Sequence, residues 1–551
     1  MLIKLTGGTV YDPVHGINGK QRDIYICDGK ITRKPGVNVK IDKTYDLRNK
    51  IIMAGAIDIH THIGGGKVNI ARTMLPEDHR DDPVKNTNIL RSGCGHAAPS
   101  TLTTGYRYAE MGYTACFEPA MLPINARQAH MEMADIPMVD KGAYAMLGSD
   151  DFFLRMMSEK KDQEAISDYV GWIINSTQAM AIKVVNPGGI NAFKFNQRKL
   201  DLDEQNNYYG VTPRKILLTL SRAVRELGIP HPLHVHGCNL GVPGNMQTTL
   251  DTINAIEGMP LHLTHLQFHS YGTEGDQKFS SGAAQIAEAV NANPNISIDV
   301  GQILFGQTVT ASGDSMLQYA GHWHADPNKW VVMDIECDAG CGVVPFKYRD
   351  KSFVNALQWT IGLELFLKIN DPWRVFLTTD HPNGAPFTSY PHLIRLLMDK
   401  SFRNDMLSTI NKQAAAASTL ASIDREYSLY EIAIMTRAAP ARSLGLKNRG
   451  HLGAGATADI TVYDLNNNKE KMFSKPAYVF KDGELIVQNG KIKKVVNGNT
   501  HVLRPEYDKS IERSLTTYFD KYQTVKIGNF KITDDELLEH GNDKIIIQPC
   551  T

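Results

Sequence analysis

The sequence predicts an α/β protein: a (β/α)8, TIM-like barrel joined to a composite β-sandwich domain built from both chain ends. Three observations predict it. From about residue 55 to 445, short apolar runs alternate with helical patterns, as in a parallel sheet with crossover helices. Residues 1–54 and 446–505 instead alternate apolar and polar positions between Asp-Gly and Gly-Gly breaks, the texture of antiparallel pairing. Finally, a His-x-His pair, His60 and His62, closes the first barrel-like run.

The N-terminal β part (1–54) comprises IKLTGGTVYDP, RDIYICDGKITRKPG and KTYDLRNKIIMAGA. The barrel region (55–445) follows, with candidate strands GAIDIH, GYTACFEPAM, GAYAMLGSD, MAIKVVNPG, PLHVHGC, LHLTHLQF, ISIDVGQI, KWVVMDIE and RVFLTTDHP. These are nine candidates for eight places, so one belongs to an insertion. Before PLHVHGC, Thr212 predicts an N-cap and Pro213 a first helical turn. Ile216, Leu217, Leu220, Val224 and Leu227 keep one apolar stripe, and Gly228 ends it. GHLGAGATADITVYDL, AYVFKDGELIVQNGKIKKVV and THVLRP make the C-terminal part of the β-domain (446–505). Residues 506–551 form an extension with a helix and a further strand.

Composition narrows the partners. Lys plus Arg and Asp plus Glu both number 59, so charge indicates neither a nucleic-acid footprint nor a polybasic membrane surface. Seven cysteines, odd in number and scattered, point to free thiols in a reducing compartment. Cys337 and Cys341 form either a metal clip or structural thiols; no Cys or His pair follows at zinc-site spacing, which favours thiols. There is no leader-like start and no apolar run of about 18 residues. The expectation is a cytoplasmic protein without membrane insertion.

Residues two apart on a strand share a face, so His60 and His62 point together. Two core histidines would each need hydrogen-bond partners, whereas two converging neutral imidazoles make good zinc ligands. Lys183 interrupts the apolar run MAIKVV, where an unpaired ammonium is costly; ion pairing is the plainer explanation. His234 and His236 repeat the spacing two apart, His262, His265 and His269 follow, and Asp380 ends RVFLTTD. Each alone suits packing or a turn. Together, near the ends of successive strands, they form a dinuclear metal-site pattern on the face that carries barrel active sites. A buried lysine of lowered pKa can take up CO2 as a bridging carbamate. Two divalent ions would polarise a carbonyl and lower the pKa of a water towards about 7, with Asp380 moving the proton to the leaving nitrogen. That is chemistry for hydrolysing amides.

G-A-I-D-I-H-T-H, the strand lysine, the later histidines and T-T-D resemble the amidohydrolase superfamily. HIGGGKVNIAR, PSTLTTGYRYAEMGYT, GVPGNMQTTL, THLQFHSYG, LTTDHPNGAPFT and STLASIDREYSLYEIAIMTRA are further similar to the A components of formylmethanofuran dehydrogenases and of the bacterial formyltransferase/hydrolase complex. The resemblance implies hydrolysis of the N-formyl amide of formylmethanofuran or an analogue to formate and the free amine, within a multi-subunit complex. It also implies His60 and His62 on one metal ion, His236 and His265 on the other, carboxylated Lys183 between them, and Asp380 as ligand and base, with zinc the expected metal. H-V-H-G-C-N leaves His234 and His236 as alternatives, His236 being preferred. Lys67, Asn69 and Arg72 beyond the first motif are candidates for the carrier's acidic tail, and His269 for its carbonyl; packing or structural hydrogen bonds would explain these residues equally well. Two other readings stand beside this one: a cyclic-amide or ureide hydrolase of the dihydropyrimidinase or dihydroorotase kind, and a non-catalytic carrier-binding scaffold.

Overall fold

The computed structural model describes all residues except 81, 190–191, 193–196, 198–199, 313–330, 333–341 and 540–543, with backbone alone at 311–312, 331–332 and 342–344. Among these, eight strands lie parallel in chain order: Ala56–Asp58, Tyr113–Met121, Asp140–Met146, Ala181–Val185, Leu233–His236, Leu261–Leu263, Ile296–Asp299 and Val375–Phe376. They are the first to eighth barrel strands below. The sheet curls until its ends meet. Beyond the first and eighth strands Thr61 bridges His381 in parallel, and His62 N donates to His381 O at 2.8 Å.

The crossover helix before the fifth strand follows its sequence. It runs Pro213–Glu226, Thr212 Oγ1 accepts from Lys215 N at 3.3 Å, and Ile216, Leu217, Leu220 and Val224 are buried. Gly228 adopts φ 63° just past its end, a left-handed position that glycine takes without strain. KWVVMDIE is the surplus candidate. Its Val331–Val332 pairs antiparallel with Gly342–Tyr348, which also pairs with Gly306–Ser312. The hairpin partner follows within about ten residues, too few for the crossover a parallel strand requires. Cys337 and Cys341 lie outside the described residues.

The two chain ends do pair. Lys50–Ala54 runs antiparallel to Ile460–Asp464 in a mixed sheet of nine strands among the described residues. Its long strand Leu2–Asp12 carries Lys43–Asp46 and Lys50–Ala54 on one edge and Ile17–Cys27 on the other. The sheet folds over a core of Ile3, Leu5, Val10, Ile52, Ile460, Val462 and Phe480, with Tyr45 edge-on to Phe480 at 5.4 Å. THVLRP, expected in this sheet, goes elsewhere. Thr500–Leu503 pairs with Ile545–Gln548 and meets the third barrel strand at Lys141. Burial of Val502 and Leu503 and a contact from His501 to Asp140 (Nε2–Oδ2 3.2 Å) hold it there.

That contact belongs to a buried ion cluster fastening the mixed sheet to the barrel. Asp140, at the start of the third strand, meets Lys481 Nζ at 3.0 Å and Arg449 NH2 at 2.6 Å, and accepts from Asn499 N at 2.9 Å. Arg449 and Lys481 also meet Asp459, at 3.2 and 3.3 Å. Burial opposes the Asp140 charge, but Arg449, Lys481 and His501 hold its carboxyl well below the usual range. A carboxyl lowered by folding stabilises the protein above its unfolded pKa of about 3.9 and loses that contribution as pH falls through the folded value. Asp140→Asn removes the central carboxylate of the buried cluster and leaves Arg449 and Lys481 to Asp459 and Asp482, so it is expected to cost about 3 kcal/mol in denaturant titration at neutral pH. An unchanged midpoint would show that the cluster does not fasten the two parts.

Candidate metal centre

The barrel strands end at one point. His60 and His62 leave the first strand, Lys183 lies on the fourth, His234 and His236 on the fifth, His265 just past the sixth, and Asp380 past the eighth. Two of these residues sit in backbone that side chains rarely adopt: φ is 36° at His265 and 50° at Asp380. Such strain clusters where the surrounding structure over-determines it. Gly301 permits the approach of both residues. A Cβ there would stand 2.4 Å from His265 Cβ and 3.3 Å from Asp380 Cβ.

Each imidazole of the first motif has a carboxylate behind it. His62 Nδ1 lies 3.0 Å from Glu118 Oε1, and Glu118 Oε2 also accepts from Ile63 N at 2.7 Å. His60 Nδ1 lies 3.2 Å from Asp299 Oδ2, with Thr264 Oγ1 at 2.5 Å and His234 Nε2 at 2.9 Å. A carboxylate at Nδ1 fixes the ring and turns the lone pair of Nε2 outward, as in metal-binding histidines. The Nε2 atoms of His60 and His62 reach Asp380 Oδ1 at 2.9 and 3.3 Å. Even so, His60 Nε2 and Asp380 Oδ1 are buried with no hydrogen bond among the described residues. They converge on a common point rather than bonding each other, and the donor set of His60, His62 and Asp380 fits a divalent cation.

A second set lies opposite. Donor atoms of His236, His265 and His269 lie within 4.8 Å of one another. The His236 and His265 rings are 4.5 Å apart, and His269 is 5.3 Å from His236. His265 Nδ1 is buried with no hydrogen bond among the described residues. His234 is not in this set. Its Nδ1 faces His231 Nε2 at 2.9 Å and its Nε2 faces His60, where it forms a third donor group with His60 and Asp299. Lys183 is paired across the sheet with Met146 and His234. Burial outweighs Asp299 and Asp380 and pushes its ammonium down to about 7, leaving neutral amine available to CO2 near neutrality.

Charge is shared unevenly. Burial lowers the His62 pKa, but Glu118 and Asp380 overcome it and raise the ring to about 9. Burial opposes the Asp380 charge as well, yet His60, His265 and His62 hold that carboxyl well below its usual range. His236 and His265 are pushed well below the usual imidazole value, chiefly by burial, which keeps them neutral.

The other candidates divide. Lys67 lowers the Lys183 and His236 pKa values through its charge, which puts it by the centre. Asn69 and Arg72 turn to the protein. Asn69 Nδ2 donates to Glu132, and Arg72 donates to Pro99 O at 3.0 Å, Asn69 Oδ1 at 3.0 Å and Ile63 O at 3.2 Å. They brace the helix Gly66–Met74 behind the motif. Asp299 and Glu118 escaped sequence reading. The available signal for Asp299 was S-I-D, in which Ser297 and Asp299 share a face of a buried strand; they bracket His262 at 2.9 and 3.0 Å.

Comparison with known proteins identifies the family. Residues 43–487 match the amidohydrolase family. The chain is 40% identical over 539 residues to the A component of the formyltransferase/hydrolase complex Fhc of Methylorubrum extorquens, covering 97% of each. It is 40% identical over 554 residues to protein FwdA of Methanocaldococcus jannaschii, covering 96% of each. A chain in the crystal structure of the M. extorquens FhcABCD complex with methylofuran superposes with a TM-score of 0.93, covering 100% of both chains at 40% identity. The chain belongs to the amidohydrolase family and is a metal-dependent hydrolase.

Proposed function

We infer that this chain is the hydrolase component of a formyltransferase/hydrolase-type complex, cleaving the N-formyl amide of formylmethanofuran or an analogue to formate and the free amine. The observation that carries it is the pair of carboxylate-backed imidazoles converging on Asp380, opposite His236 and His265. The M. extorquens complex with methylofuran supports the carrier class and the partner subunits. A scaffold would not require these ligand types together. The free thiols Cys27, Cys94, Cys116, Cys238 and Cys550 suit a cytoplasmic setting.

His60, His62 and Asp380 would hold one ion, His236 and His265 a second, and Lys183 as a carbamate would join them; zinc suits this nitrogen-rich set. Bound there, the ions would lower the pKa of a water and polarise the formyl oxygen. Asp380 does the proton work. Held ionised, it accepts a proton as water's oxygen attacks the formyl carbon and delivers it to the amide nitrogen as the C–N bond breaks. His269, beside His236 and His265, would bond the formyl oxygen. Lys67 would receive an anionic part of the carrier, whereas Asn69 and Arg72 would keep the helix Gly66–Met74 in place.

Two measurements test this. The purified chain should carry two zinc equivalents and release formate from the formylated carrier, and Asp380→Asn should lose about 10²–10⁴-fold in rate; full activity in that variant would sink the mechanism. Glu118→Gln removes the charge behind His62. Zinc affinity in chelator competition should fall about 10–100-fold with the far-ultraviolet circular dichroism unchanged. Undiminished affinity would mean that Glu118 does not tune a metal ligand.

A further inference from the structure

The backbone carbonyls of His381, Pro382, Asn383 and Gly384, the residues that follow Asp380, are each held by a different donor. His381 O accepts from His62 N at 2.8 Å, Pro382 O from Thr308 Oγ1, Asn383 O from the Tyr348 hydroxyl at 3.0 Å, and Gly384 O from Leu304 N at 3.3 Å. Two of these donors are side chains of one hairpin, Gly306–Ser312 with Gly342–Tyr348, inserted between the seventh and eighth barrel strands. That hairpin has no part in the mechanism above.

Register decides what each face of the hairpin reaches. Thr308 stands opposite Phe346, so their side chains share a face, and Tyr348, two residues beyond Phe346, shares it too. All three are buried, closed over the loop after Asp380. Val309 points to the other face and packs with Ala71 and Leu75, in and just past the helix Gly66–Met74 that follows His60 and His62. One face therefore grips the segment after Asp380 and the other the segment after the His-x-His pair. Asp380 needs such support. Its φ of 50° is a left-handed conformation that costs a non-glycine residue free energy. The local bonds, Asn383 N to Asp380 O at 2.6 Å and Gly384 N to Thr379 O at 3.0 Å, close a turn without fixing where the turn sits. Thr308 and Tyr348 supply that anchorage from outside it. Burial and the Asp380 charge push the Tyr348 phenol up, so it stays protonated and donates. Losing either hydroxyl would leave a buried carbonyl unpaired, a cost that the loop relieves by moving.

We propose that Thr308 and Tyr348 are positioning residues, which set the Asp380 carboxylate by holding the backbone that follows it. The kinetic consequence rests on the amide-hydrolase reading, and the geometric one does not. Asp380 has to face both the candidate ligands His60 and His62 and the reacting water, so a loop displaced by a fraction of an ångström misdirects its proton transfer while leaving substrate contacts elsewhere intact.

Thr308→Val and Tyr348→Phe each delete one hydroxyl at nearly constant shape, so the fold should survive. In the full chain, hydrogen exchange of the peptide spanning 378–385 should quicken at least about tenfold in each variant, with exchange in the helix Pro213–Glu226 unchanged. Loaded with Co(II), whose visible absorption reports ligand geometry, each variant should keep its metal but show a shifted band. The kcat for formate release should fall about 10–100-fold, with KM within about twofold of the wild type. Thr308→Ser restores the hydroxyl and should recover most of the rate lost in Thr308→Val. Wild-type exchange and a wild-type Co(II) spectrum in both variants overturn the proposal. So does a rise in KM alone, which would make the hairpin part of the substrate seat, or a serine variant as slow as the valine one, which would assign the loss to packing. Absence of formate release by the wild type would instead fault the hydrolase reading, with the exchange rates still deciding whether the two hydroxyls hold the loop.

Discussion

Asp299 is the carboxylate on which the candidate metal centre depends. It is fully buried, yet it accepts from His262 Nε2 at 3.0 Å, His265 N at 2.8 Å and Thr378 Oγ1 at 2.9 Å, and it faces His60 Nδ1. Those groups come from or adjoin the first, sixth and eighth strands, while Asp299 ends the seventh. A buried carboxylate is tolerable only when its oxygens are fully engaged. His60 and His262 engage this one so well that, despite burial, its pKa lies well below the usual range. The same bonds that stabilise the charge bring strand ends to a common depth. Ligand placement and barrel closure are therefore one constraint.

The periphery follows the same logic with weaker bonds. Asp58 accepts from the Tyr108 hydroxyl at 2.7 Å, the Tyr390 hydroxyl at 2.5 Å and His60 N at 3.1 Å. Burial still outweighs these neutral donors and raises its pKa to about 6. The contrast with Asp299 is instructive: imidazoles facing a buried carboxylate keep it ionised, whereas phenols and an amide do not fully offset its desolvation. Asp299 and Glu118, which face imidazoles, can act as fixed negative charges behind the candidate ligands His60 and His62. Asp58 serves to orient the strand that precedes them.

What could be read from sequence was what repeats locally. The barrel was legible because each strand and helix carries its own period, and the His-x-His pairs because two side chains two apart on a strand must share a face. The ninth strand candidate was not separable from the other eight, since a short apolar run reads alike in a hairpin and a barrel; only its partner at Gly342–Tyr348 distinguishes it. THVLRP was misplaced for a related reason, its site being set by Asp140, more than 350 residues earlier. Asp299 and Glu118 were invisible because their meaning lies in contacts across strands. Asn69 and Arg72 were legible as polar residues near the motif, but not as partners of Glu132 and Pro99.

The barrel lumen contains one more argument about His60. Ser443 Oγ, His231, His234 and His60 form a chain whose three links are each 2.9 Å. Burial and neighbouring positive groups push His231 and His234 well below the usual imidazole range, so both rings are neutral and each has one N–H and one lone pair. In such a chain every link needs one donor and one acceptor, so the rings must be oriented head to tail. If His60 is to offer the Nε2 lone pair to a metal ion, its proton is on Nδ1, facing His234 Nε2 and Asp299. His234 then carries its proton on Nδ1 towards His231, and His231 on Nδ1 towards Ser443. Three histidines where a barrel would ordinarily pack aliphatic side chains thus carry onward the orientation that the acceptor Asp299 sets at His60 Nδ1, and the Ser443 hydroxyl, able to donate or accept, ends the chain in either direction.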